Sequence, residues 1–311
     1  GLVLLFMLIH IFWVDADIGK YPVLGIWIYA LLTFVAVAFI YIRFLYRYFG
    51  PHHAYAVAYI ERVGDVLELT FSPRGKRMDF RPSQFVYLVV RKAGVSPEPH
   101  PYSIACGYNL EGSFKLGIKE VGDHTRTLFT LEKGDPVTVY GPYGRFSERF
   151  LSAQRDCIFI GGGIGITPFI GMWHVALHSE ERLNSEDVPE TLRSLHPEII
   201  RTWKSPLVAL FYVCRTADQA NFDEDIRREA LLSHFHGFEA LEERGHHYEL
   251  YLSSIQGRFS ARYVASRVRG GVLGKNIFLC GPSPMVGALI NQFNTLGVPG
   301  RNIIVEDFNL V

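Results

Sequence analysis

Four short stretches carry residue types that do chemistry. The first is GGGIGITPF (161–169), set between the apolar run CIFI and a helix-like run. Glycine admits positive φ and lets a ligand approach the backbone closely. The N–H groups at a helix start attract an anion. A phosphate is the expected guest, although a tight strand–helix turn uses glycines in the same way. Gly162, Gly163, Gly165 and Thr167 are the candidate contacts. The run lacks GxGxxG spacing with an acid about 20 residues later, so the ordinary dinucleotide fingerprint is not matched. The second stretch, LCGPSPM (279–285), closes a predicted strand on the side where parallel sheets bind ligands. Cys280, Gly281 and Pro282 stand there, and a buried core thiol is the plain alternative for Cys280. The third, HPYSIA (100–105), opens a strand with His100, Pro101, Tyr102 and Ser103. It offers a flat phenol face and a hydroxyl; a packed tyrosine at a strand edge is the plainer reading. The fourth, GDHTRTL (122–128), puts His124 and Thr125 at a helix start that suits a second phosphate.

These stretches need elements to hold them. From Tyr55 to Tyr140 short runs alternate with turn signals. VLELTF (66–71), FVYLVV (85–90), FKLGIKEV (114–121) and PVTVYG (136–141) read as strands of an antiparallel barrel. HTRTLFTLE (124–132) is its one helix-like piece. After GPYGRF (141–146) strands alternate with helices: DCIFI, 164–178, PLVALFYVC (206–214), 222–235, YELYLS (248–253), NIFLC (276–280), 283–296 and NIIVE (302–306). That order implies a parallel sheet covered on both faces. The polar stretch 179–205 reads as a surface insertion.

Upstream the texture is apolar. Residues 21–42, YPVLGIWIYALLTFVAVAFIYI, contain no charge and match the roughly 20 residues a spanning helix needs. Arg43, Arg47, His52 and His53 follow, which places everything after residue 50 on the cytoplasmic side. GLVLLFMLIHIFWV (1–14) is too short to span alone and has no basic start or cleavage site, so it reads as a helix cut short. Lysine plus arginine equals aspartate plus glutamate, 31 against 31, which argues against a nucleic-acid partner. Cys106, Cys157, Cys214 and Cys280 form no CxxC and read as reduced thiols.

In their order, RPSQFVYL, HPYSIA, GDHTRTL, GPYGRF, GGGIGITPF, LCGPSPM and the closing VEDF resemble the ferredoxin–NADP reductase superfamily. The histidine before PYS and the preceding membrane helices look like the NADPH oxidase and ferric reductase family within it. The resemblance implies a multi-domain chain: part of a transmembrane haem domain (1–50), an antiparallel β-barrel for FAD (51–147) and an α/β parallel-sheet NAD(P)H domain (148–311). Tyr102 would stack on the isoalloxazine and Ser103 would contact its N5 edge. His100 stands where soluble relatives carry an arginine, and His124 and Thr125 would hold the pyrophosphate. Gly162, Gly163, Gly165 and Thr167 would cradle the nicotinamide cofactor's pyrophosphate, with Cys280, Gly281 and Pro282 beside the ring. Phe308 resembles the aromatic that covers the flavin. His10, within LLFMLIHIFWV, would ligate haem b, since a polar ring in hydrocarbon is a functional candidate.

Two arginines point to NADPH, with NADH left open. Arg215 and Arg258 follow two strands of the sheet, where a 2′-phosphate can be paired; a solvated surface arginine is the alternative for each. The implied activity is electron transfer from NADPH through FAD and membrane haem to oxygen, giving superoxide. Ferric iron as acceptor, or a flavin reductase feeding a separate protein, are the alternatives. The implied location is a multi-pass protein of the cell membrane, in contact with lipid, with cytoplasmic dehydrogenase domains. Two departures stand out: Ser83 replaces a frequent family glycine, and three residues follow Phe308 where the oxidases commonly end.

Overall fold

The computed structural model describes residues 22–45, 52–106, 112–152, 155–182, 206–233 and 238–306. The chain divides into two compact units, Gly1–Pro51 and His52–Val311.

In the first unit, helix α1 (Pro22–Ile40) continues into a π-helical turn, Tyr41–Leu45. A helix satisfies the backbone polar groups of such an apolar run within the run itself, as lipid would require. Thr33 follows the same rule: its hydroxyl donates to the Tyr29 carbonyl at 2.8 Å. Ile26, Trp27, Leu31 and Phe34 are exposed on this helix. Among the described residues, Gly25–Phe44 is the one helix long and apolar enough to cross a membrane. The other expected membrane segment, 1–14 with His10, lies outside the described residues.

The second unit begins with a six-stranded antiparallel sheet. Its strands are β1 (His53–Val63), β2 (Val66–Pro73), β3 (Phe85–Val90), β4 (His100–Ser103), β5 (Phe114–Lys119) and β6 (Pro136–Tyr143), in the order β4-β3-β6-β1-β2-β5. The sheet curls until its edges meet: Ile104 bridges Leu116, and Ala105 N–H donates to the Lys115 carbonyl at 2.8 Å. The interior is aromatic, with Tyr55 edge-on to Phe114 at 5.0 Å and Phe71 stacked on Phe114 at 5.1 Å. The buried Tyr55 hydroxyl accepts from Met78 N–H and donates to the Gly112 carbonyl, each at 2.9 Å, so burial leaves no polar group unmet. Helix α2 (Asp123–Leu128) is shorter than the expected 124–132. Thr127 and Thr130 turn their hydroxyls back to the carbonyls of His124 and Thr127, a competition that shortens helices.

The parallel sheet has five strands: β7 (Cys157–Gly162), β8 (Val208–Cys214), β9 (His247–Leu252), β10 (Asn276–Cys280) and β11 (Ile303–Glu306), in the order β11-β10-β7-β8-β9. Every residue of the inner strands β7, β8 and β10 is buried, as strands covered on both faces require. The longer helices beside it are α3 (Thr167–Arg182), α4 (Asp223–Leu232), α5 (Ala261–Arg267) and α6 (Ser283–Thr295). Helix α3 takes in the first residues of the stretch expected to be an insertion.

The two sheets share one body. The core beneath the parallel sheet, including Phe159, Phe169 and Trp173, extends to Val66 and Ala105 of the barrel. Lys115 of β5 bridges Glu68 of β2 at 2.5 Å and Asp225 of α4 at 2.6 Å. A Cβ on Gly171 of α3 would lie 2.6 Å from the Cys106 carbonyl oxygen, so only glycine lets the helix approach the barrel this closely.

Candidate functional site

The strand order places the first βα loop at the centre of the parallel sheet. The connection after β7 runs to β8 on one side, while β10 lies on the other. This is a topological switch point, where such sheets open a crevice at the carboxyl ends of their strands. Both glycine-bearing motifs of the α/β domain meet there. β7 ends at Gly162, a 3₁₀ turn covers Gly163–Ile166, and α3 begins at Thr167. A Cβ on Gly165 would lie 2.6 Å from the Cys280 carbonyl oxygen and 2.8 Å from the Gly281 Cα. A Cβ on Gly162 would lie 2.5 Å from Met285 and 2.9 Å from Pro282. These two glycines therefore let the loop press on the turn after β10. Gly163 differs: its φ is +54°, and the space beyond it is open. Gly281 has φ +155°.

Side chains around this edge are mostly committed within the protein. Thr167 is buried, and its hydroxyl donates to the Ile164 carbonyl at 3.0 Å. Cys280 is fully buried at the end of β10, and none of the four cysteines forms a disulfide. Cys214, at the end of β8, donates to the Gln219 carbonyl at 3.5 Å, and burial pushes its thiol up to about 11. Pro282 is exposed. Arg215 and Arg258 are exposed beyond the ends of β8 and β9. Ser254 N–H donates to the Arg215 carbonyl at 3.0 Å, which ties those two ends together.

The barrel edge is built differently. β4 carries His100, Pro101, Tyr102 and Ser103, paired with Leu88, Tyr87, Val86 and Phe85 of β3. Ser103 is buried and Tyr102 half-buried. Burial raises the Tyr102 phenol above its ordinary value, so it stays neutral. His100 stacks on His124 of α2, ring centroids 3.6 Å apart and planes 23° from parallel. Burial first, and then the facing His100, hold the His124 imidazole below its ordinary range. His100 Nε2 and His124 Nδ1 are buried without a hydrogen-bond partner. Thr125 is engaged locally: its hydroxyl accepts from Val121 and Gly122 N–H at 2.9 and 3.0 Å and donates to the Gly122 carbonyl at 2.9 Å. Any contact it offers a ligand comes through its backbone or by giving up that cap.

Phe308 and His10 lie outside the described residues. The structure also brings forward residues missing from the sequence-derived site. Glu306 ends β11 as the register partner of Cys280, and burial raises its carboxyl to about 6. Its place at a strand end in VEDF was the available signal. Ser83 has φ +65°, the left-handed region glycine enters freely, and its buried hydroxyl has no partner. That conformation explains why a glycine suits the position.

No family model matches the chain. The chain is 27% identical over 190 residues to a component of the Na(+)-translocating NADH-quinone reductase of Psychrobacter arcticus, covering 60% of this chain and 40% of that one. It is 23% identical over 270 residues to the ferredoxin reductase component of 3-ketosteroid-9-alpha-monooxygenase from Rhodococcus rhodochrous, covering 83% and 67%. The chain thus spans about two fifths of the length of the quinone-reductase component. Among solved structures, flavohemoglobin from Malassezia yamatoensis with bound FAD and heme superposes with a TM-score of 0.63 at 17% identity, covering 95% of this chain and 72% of that one. The CS-b5R domains of human Ncb5or, in an NAD+ form, superpose with a TM-score of 0.60 at 19% identity, covering 82% and 69%. The pair of sheets is a ferredoxin–NADP reductase-like two-domain fold, and the curated relatives are oxidoreductase components.

Proposed function

We propose that this chain is the reductase portion, with a membrane anchor, of an oxidoreductase that carries electrons from NADPH through FAD to an acceptor at the membrane. Molecular oxygen, giving superoxide, is the acceptor we favour, reached through haem b in the membrane part. The observation that carries the reading is the meeting of the glycine loop and the Cys280–Pro282 turn at the switch point, in one compact body with a barrel edge that holds unpartnered buried histidine nitrogens.

The residues present fit both cofactors. Buried ring nitrogens of His100 and His124 need partners, and phosphate oxygens would supply them. Gly163 opens onto free space at a helix start, which suits a pyrophosphate. Bound FAD would supply the redox chemistry, taking two electrons together and releasing them singly. The chain's own work is then orientation. Tyr102, neutral and half-buried, offers its ring face, and Ser103 a hydroxyl. Gly162 and Gly165 hold the loop against the Cys280–Pro282 turn and so shape the nicotinamide pocket. Arg215 and Arg258 are exposed beyond the ends of β8 and β9, where a 2′-phosphate would lie. No side chain is required as an acid or base, because hydride transfer moves its proton with the electron pair.

A second reading has its own support. Curated relatives include reductase components, and the described residues contain one candidate span. In that reading the helix is an anchor and the acceptor is a separate protein; ferric iron is a third choice of acceptor. Placement at the cell membrane, with residues after 50 facing the cytoplasm, belongs to the same proposal and rests on Arg43 in the π-helical turn after α1.

The intact protein, purified with its flavin and given NADPH, tests it. Superoxide formation with a haem band in reduced-minus-oxidised spectra supports the first reading. A flavin band without haem, and electrons delivered only to an added protein, favours the anchor. Absence of flavin together with unoxidised NADPH ends both. Arg215→Glu should raise KM for NADPH at least tenfold and KM for NADH far less; equal effects would remove the 2′-phosphate assignment.

A further inference from the structure

Helix α3 leaves the glycine loop and carries His174 and His178 one turn apart. Residues at i and i+4 share a helix face, so both imidazoles project together. Helix α4 sets Glu229 against that face. Glu229 Oε2 lies 2.7 Å from His174 Nδ1 and 3.1 Å from His178 Nε2. The two rings are 4.5 Å apart. All three side chains are sheltered, at 13%, 12% and 27% exposure. Their ligand atoms lie within 4.8 Å of one another. A tetrahedral zinc with bonds of about 2.0–2.2 Å sets its ligand atoms roughly 3.3–3.5 Å apart. To reach that spacing the His178 nitrogen would move from Glu229 by about 0.2–0.4 Å and the His174 nitrogen by about 0.6–0.8 Å, within reach of small χ rotations of the three side chains.

We propose that His174, His178 and Glu229 bind a divalent transition metal, zinc foremost, which clamps α3 to α4. Two imidazole nitrogens and one carboxylate oxygen from two packed helices are a borderline donor set that suits zinc and its cobalt surrogate, and leave a fourth position for water. The residue after His174 is Val175, where helical zinc hydrolases carry a glutamate base. The site therefore lacks the group that would activate the water, and its role is to brace. The helix it braces begins at the glycine loop, two turns before His174. The proposal does not depend on the flavin reading.

The full chain, stripped with a chelator, is titrated with Co²⁺ and then competed with Zn²⁺. The expected result is one equivalent of Co²⁺ with intense visible bands of a tetrahedral site, displaced by Zn²⁺, and a Tm that rises with added metal. Glu229→Gln keeps volume and a hydrogen-bonding group, and should weaken Co²⁺ binding at least tenfold while leaving the metal-free fold intact. His178→Ala should do the same; should it misfold, Glu229→Gln decides alone. No saturable Co²⁺ spectrum, or one unchanged in Glu229→Gln, would reduce the cluster to a hydrogen-bonded trio and overturn the proposal.

Discussion

The barrel edge and the switch-point edge of the second unit are made by opposite means. At the barrel edge side chains accumulate: two stacked imidazoles, a phenol and a hydroxyl, with two ring nitrogens left unmet. At the switch point side chains are removed. Gly162, Gly165 and Gly281 bring two backbone segments together, and the polar groups there, such as the Thr167 hydroxyl, are already bonded within the protein. The first edge is unfinished chemistry that a ligand would complete. The second is a finished shape that a ligand would enter.

That contrast can be broken by mutation. The largest effect is expected at Gly165. A side chain there meets backbone atoms of Cys280, which cannot move aside, so Gly165→Val should cost about 3 kcal/mol and lower Tm by many degrees. Gly163→Ala faces open space and carries only the strain of positive φ, about 1 kcal/mol. Equal losses at the two glycines would show that close packing is not what shapes the loop. Next is Ser83→Gly. It relieves a left-handed backbone and removes an unmet buried hydroxyl, against the extra freedom of an unfolded glycine. A net gain of about 1 kcal/mol in chemical denaturation is expected. A loss would mean that the hydroxyl has a partner in the working protein.

The smallest effect is one of pH. Glu306 loses its proton near 4.5 when unfolded but keeps it to about 6 when folded. Its raised value means that stability falls as pH rises between those points, and the cost is complete above about 6. Glu306→Gln should therefore melt higher than the parent above pH 6, with the gain fading towards pH 4.5. His124 works in the opposite sense. Its value is lowered, so stability falls as pH drops below 6.5 towards the lower folded value. Melting curves of the variant and parent across that range would show whether the two edges titrate in opposite directions.

Much of the layout was legible along the chain. Strands such as 85–90 and 276–280 appear where alternation and continuous apolar runs placed them. β1 was not anticipated: HAYAVAYIERV alternates with small alanines and runs into charge, and its pairing with β2 and β6 supplies what its own residues do not. The site was legible where it depends on motifs. The stacking of His100 on His124 was not, because the two residues lie on different elements and meet only when the barrel closes.

By itself the sequence determined the apolar span at 21–42, the passage from period-two strands to alternating strands and helices, and the glycines that allow close approach. Each of these is a property of neighbours along the chain. Tertiary structure decided which motifs share an edge, that Glu306 sits beside Cys280, and that His174 and His178 face Glu229. Such meetings depend on strand order and helix packing, which join residues that no local period relates.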